Sequence, residues 1–123
     1  MEISRKQQDT AKGPAERFTG QVWFDEIGAT DHTTVMSVHF TPGARTAWHS
    51  HPHGQVLHVT EGAGLVRSRG GDREEIRAGD TVHAHAGEVH WHGAAPGTFL
   101  THLAVQEGET EWAEHVTDEE YEG

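Results

Sequence analysis

Apolar and polar positions alternate with a period of two over most of this chain, in runs of four to nine residues rich in valine, isoleucine, threonine and aromatics. That pattern predicts β-strands half-exposed on one face. The expected strands are residues 21–27, 34–40, 46–51, 55–60, 63–67, 74–77, 80–84, 89–93 and 98–106, with a further edge strand at 111–116. The breaks between them carry turn chemistry: Thr41-Pro42-Gly43, Pro52-His53-Gly54, Glu61-Gly62 and Gly70-Gly71-Asp72. Turns recurring about every 8–12 residues predict an all-β sandwich or barrel. Residues 1–20 are polar and broken by Gly13-Pro14 and Gly20, so they read as an N-terminal arm, either a loose tail or an edge strand exchanged with a second subunit. Residues 21–116 form the barrel. Residues 117–123 form an acidic tail, in which Thr117 can cap a short helix.

The strand phase sorts the side chains. His49 and His51 lie two apart and leave one face together with Ala47, while Trp48 points the other way. Gln55, Leu57 and Val59 share a face, His90 and His92 share another, and Leu100, His102, Ala104 and Gln106 line up on the last long strand. His49, His51, Gln55 and His90, brought from two hairpins into one interior, offer three imidazoles and a side-chain carbonyl, a donor set for a first-row divalent metal. His92, His102 and Gln106 would form a second tier in the same cavity. His32, His39, His58, His83 and His115 read as surface or satisfied core histidines, and His53 as an exposed turn residue.

Composition narrows the partners. The 123 residues suffice for one modest core. Twenty acidic residues against nine basic give a net charge of −11, which repels phosphate backbones and anionic lipid, so neither nucleic acid nor membrane is an expected partner. The absence of cysteine excludes disulfides and thiolate chemistry and fits a cytoplasmic protein. The eight acidic residues from Glu107 onward, unaccompanied by lysine or arginine, read as a solvated face.

The spacing Gly43-x5-His49-x-His51-x3-Gln55-x6-Gly62 resembles the first motif of the cupin superfamily, and Gly79-x7-Gly87-x2-His90 resembles the second. The resemblance implies a single-domain cupin β-barrel (a double-stranded β-helix, or jelly roll) that binds a metal. The chain departs from the usual pattern at Gln55, where glutamate is usual, at His85 for proline and at Ala94 for asparagine. A neutral amide in place of a carboxylate leaves a dication its full charge. That favours Lewis-acid work over oxygen-activating iron chemistry.

The blocks TAWHSHPHGQ, HWHGAAP, THLAVQE and EHVTDEEY are similar to those of small bacterial cupins with hydroxynitrile lyase activity. This closer resemblance implies manganese as the metal, ahead of iron, zinc or nickel. It also implies cleavage of a cyanohydrin to an aldehyde and cyanide. His102 would be the catalytic base. Met36, Val38, Phe40, Leu57, His92, Leu100 and Gln106 would contact the small-molecule substrate, although 36–40 could equally be core packing. Gln106 could instead orient His102. The competing expectations are a cupin dioxygenase acting on a small phenolic or diketone and a non-catalytic protein binding a metal or small ligand. A small barrel with a free arm and open strand edges is also expected to form a homo-oligomer, dimer or tetramer.

Overall fold

A computed structural model describes residues 1–123. Its strands are β1 (Ala11–Lys12), β2 (Phe18–Thr19), β3 (Val22–Ala29), β4 (Thr33–Phe40), β5 (Arg45–Thr46), β6 (His49–Ser50) and β7 (Gln55–Ser68), followed by β8 (Glu74–Arg77), β9 (Thr81–Ala84), β10 (His90–Ala94), β11 (Leu100–Glu107) and β12 (Glu111–Trp112), and a short helix, α1 (Asp118–Glu122), closes the chain. All pairings are antiparallel. The strand order β1-β3-β4-β11-β7-β10-β5-β2 curls into the expected all-β barrel.

β7 is the spine. Its first half pairs with β11 and β9, and its second half with β10 and β8, so one strand belongs to both walls. This corrects the sequence reading at Glu61-Gly62, which is a bend inside a continuous 14-residue strand rather than a turn between two. Gly62 makes the bend possible. Its φ of +80° lies in the left-handed region, and a Cβ there would fall 1.8 Å from the Phe99 carbonyl oxygen. The expected strand 46–51 is likewise interrupted, because Ala47 and Trp48 bond sideways to Arg17 and Glu114.

Inward residues of β3, β4, β7 and β11 meet in a core that includes Val22, Val38, Phe40, Leu57, Val59, Leu100 and Ala104. A second cluster, Trp48, Leu65, Trp91, Val116 and Tyr121, lies across β10 from the first. Trp48 does turn away from the histidine face, but it is buried rather than solvated, because the C-terminal segment covers it. The acidic tail is therefore more than a solvated face. Val116 and Tyr121 are buried, the Tyr121 hydroxyl donates to the Ala94 carbonyl at 2.6 Å, and Arg45, Arg67 and Arg73 donate to carbonyls at Val116, Glu120 and Tyr121. Thr117 caps α1 in a reciprocal capping box with Glu120.

The arm contributes two short strands: β1 pairs with β3, β2 with β5, and the Phe18 ring sits edge-on to Trp112 with centroids 5.8 Å apart.

Candidate metal centre

Strand register brings the ligand candidates together. His49 of β6 lies directly across from His90 of β10, and their ring centroids are 4.4 Å apart. His51 follows on the same face, 5.1 Å from His49 by centroid, and its carbonyl is pinned by the Gly54 and Gly87 amides. One ligand nitrogen from each of the three histidines falls within 4.8 Å of the others. Gln55 opens β7 beside them.

The hydrogen bonds behind these side chains decide which atoms face inward. His49 Nδ1 donates to the Ala47 carbonyl and His90 Nδ1 to the Glu88 carbonyl, each at 2.8 Å. His51 Nδ1 is 3.2 Å from the Thr110 hydroxyl. The two carbonyls fix Nδ1–H on His49 and His90, so those rings turn an Nε2 lone pair to the centre, and His51 does the same when the Thr110 hydroxyl accepts from its Nδ1. Gln55 Nε2 donates to Gln106 Oε1 at 3.1 Å, which turns the Gln55 oxygen the same way.

Two consequences test whether these residues suit a cation. His51 Nε2 is buried with no hydrogen-bond partner. His90 Nε2 and Gln55 Oε1 face each other at 3.1 Å, yet neither has a hydrogen to share, since the His90 proton is committed to Glu88. Two opposed lone pairs are unfavourable unless a positive charge lies between them. Adjacent ligands with bonds of about 2.1 Å stand about 3.0 Å apart at right angles. The residues fit a divalent metal.

Burial keeps the cluster neutral. Desolvation, reinforced by repulsion from neighbouring imidazoles, pushes His49 down to about 3 and His51 to about 4 from 6.5, and burial also lowers His90. Neutral rings are the form that binds metal.

Behind this cluster lies the second tier. The rings of His92 and His49 are 5.2 Å apart, and those of His92 and His102 are 4.8 Å apart. His102 Nε2 and His92 Nδ1 are 2.9 Å apart, so the two rings share one proton. Burial pushes His102 down to about 4 and holds His92 well below the ordinary range.

A cavity of about 450 Å³ reaches these groups from the barrel mouth. Met36, Val38, His92, His102 and Gln106 line it, as do His49, His51 and Gln55. Phe40, Leu57 and Leu100 do not. They are fully buried in the core, and Phe40 pairs with Leu100 one row nearer the closed end than Val38 and His102. The apolar wall instead gains Phe24, Ala104, Phe18 and Trp112, the last two at the mouth with Arg17. The arm's contribution had no motif to announce it. Thr110 was equally invisible, lying in an acidic segment far from either motif. His32, His53, His58, His83 and His115 are exposed, and His39 is bonded to Asp25 and Thr101 on the outer face.

Residues 36–105 match the cupin domain. The chain is 54% identical to an (R)-mandelonitrile lyase of Granulicella tundricola, an alignment covering 98% of each protein. Among solved structures, it is similar to a cupin-like protein of Thermotoga maritima, with 43% identity over 90% of each chain and a TM-score of 0.88. A polyketide cyclase of Streptomyces resistomycificus is similar in fold alone, with 20% identity over 99% of this chain and 92% of the other and a TM-score of 0.76.

Proposed function

The chain belongs to the cupin family and is an enzyme, a lyase, and from that premise we propose that it cleaves cyanohydrins to an aldehyde and hydrogen cyanide with the help of one divalent metal ion. The observation that carries the metal requirement is the opposed pair His90 Nε2 and Gln55 Oε1, two acceptors held face to face beside the unpartnered His51 Nε2. His49, His51, Gln55 and His90 would hold the ion. Manganese is the metal we favour, ahead of iron, zinc or nickel, on the resemblance to the small bacterial hydroxynitrile lyase cupins. When bound, such an ion supplies a Lewis acid that makes a ligated hydroxyl more acidic, and four neutral ligands leave its charge undiminished.

The remaining work falls to the chain itself. Met36, Val38, Phe24 and Ala104 give an apolar wall for the substituent on the reacting carbon. His102 takes the hydroxyl proton as catalytic base at Nε2, which exchanges its 2.9 Å bond to His92 Nδ1 for the substrate hydroxyl. As the O–H electron pair becomes the carbonyl, the carbon–cyanide bond breaks and its electrons leave with cyanide. Burial disfavours a charged pair of rings, so the proton passes readily to the departing cyanide and restores the neutral dyad.

The direct test is benzaldehyde release from mandelonitrile. His102→Ala should lower it by about 10²–10⁴-fold with metal content unchanged; full activity in that variant would remove His102 from the mechanism.

No helix is long and apolar enough to cross a membrane, and we place the enzyme in the cytoplasm, where a cysteine-free chain loses nothing to reduction. We also read it as a homo-oligomer. The outer-face residues Val35, Ser37 and His39 of β4, Leu103 and Val105 of β11, and Val56 and His58 of β7 include no lysine, arginine, aspartate or glutamate on a chain of net charge −11, and acidic groups enter only beside them, at Asp25 opposite Ser37 and Glu61 opposite Thr101. Two copies can bring the middle of that face together with Asp25 and Glu61 left beside the contact.

A further inference from the structure

We infer that Gln106 is a positioning residue for the metal ligand Gln55, selecting which end of its amide faces the ion; this rests on the metal-centre reading above. A carboxylate at this position would present oxygen whichever way it turned. An amide has one oxygen and one NH₂ of nearly equal size, and a half-turn would aim the positive end of its dipole at the cation. A chain that uses glutamine here therefore needs something to prevent the half-turn.

Gln106 supplies it. Gln55 and Gln106 are directly opposed in the β7–β11 register, at the open end of that pairing, so backbone hydrogen bonding sets the distance between them. Gln106 Oε1 accepts from Gln55 Nε2 at 3.1 Å, and Gln55 Oε1 then stands 3.1 Å from His90 Nε2. Reversing Gln55 alone would set its oxygen against the Gln106 oxygen and lose that bond, and recovering it would require Gln106 to turn as well. The same preference makes Gln106 act through Gln55 rather than on the substrate alone, although its side chain also borders the cavity.

This explains a pairing that neither residue requires separately. Gln55 is buried while Gln106 is only half-buried, so the inner amide cannot turn to water for a substitute acceptor.

The test is a double-mutant cycle read by calorimetric titration of the metal-stripped protein with Mn²⁺ alone. Gln106→Met keeps the length of the side chain and removes the acceptor; it should weaken Mn²⁺ binding by about 10–100-fold, the usual cost of losing a partner behind a ligand. Gln106→Glu keeps an acceptor and should bind at least as tightly as the native chain to within about 3-fold. In a Gln55→Glu background, where no amide has to be oriented, Gln106→Met should cost less than about 3-fold. Native-like affinity for Gln106→Met, or an equal loss in both backgrounds, would overturn the inference. A native protein that binds no Mn²⁺ would instead sink the metal centre itself. A second readout needs neither a variant nor metal: the Gln55 side-chain NH₂ of the metal-free native protein should exchange slowly with solvent, and free exchange would also overturn the inference.

Discussion

His49 and His90 are aimed by backbone carbonyls, at Ala47 and Glu88, whereas His51 depends on the hydroxyl of Thr110. No side-chain substitution removes a carbonyl, so His51 is the one of the three histidines that a point mutation can loosen from behind. Thr110→Val keeps the shape and deletes the acceptor. It should weaken Mn²⁺ binding by about 10-fold while leaving the melting temperature of the metal-free protein within about 2 °C, as calorimetry would show. The buried imidazoles also set the acid limit of the fold. His49 sits near 3, and His51 and His102 near 4, against 6.5 in the unfolded chain. Between those values the unfolded state binds more protons than the native one, so stability is complete above about pH 6.5 and falls as pH drops toward 4. Denaturant melts of the metal-free protein from pH 7.5 to 4.5 should show that decline, and His102→Phe should flatten part of it.

β7 carries both walls of the barrel, and its bend at Gly62 is where a single atom matters most. Gly62→Ala places a methyl group against the Phe99 carbonyl in a strained backbone conformation and should cost more than about 3 kcal/mol in denaturant unfolding. Gly28→Ala is the control: its φ is ordinary, open space surrounds the new methyl, and the change should stay within about 1 kcal/mol. The bend also shows what sequence pattern could and could not convey. Alternation put Leu57 and Val59 on the inner face correctly, because side-chain direction follows from local backbone geometry alone. Glu61-Gly62 looks the same whether the chain reverses or merely kinks, and only the partners of the flanking residues distinguish the two. The ligand candidates were legible for the same local reason, with His49 and His51 two apart and His90 just beyond a glycine turn. Phe40, Leu57 and Leu100 were placed on the cavity wall because alternation gives a side chain's face but not its depth along the barrel. Thr110 and the Gln55–Gln106 bond were hidden because each joins residues more than fifty positions apart through strand register.

At the scale of the whole molecule, the acidic C-terminus serves as a cover. Arg45 reaches the Val116 carbonyl and Asp118 and stacks over the Tyr121 ring at 4.7 Å, so charge in the tail is met by arginines of the barrel. Deleting residues 117–123 uncovers Trp91 and Trp48 and should lower the melting temperature by several degrees with a rise in apolar dye binding. The outer face of β4, β11 and β7, with Asp25 and Glu61 beside its uncharged middle, is a second surface to test. Leu103→Glu should shift the protein to a monomer in sedimentation while sparing the barrel, and an unchanged sedimentation coefficient would place any oligomer contact elsewhere. Both expectations depend less on the central claim than on the surface around it. That claim is that His49, His51, Gln55 and His90 enclose one divalent ion, and it is met most directly by anomalous diffraction at the manganese edge from crystals grown with Mn²⁺. The account predicts one peak per chain, among Nε2 of the three histidines and Oε1 of Gln55. No peak there, or one held by the exposed histidines or acidic groups, would contradict it.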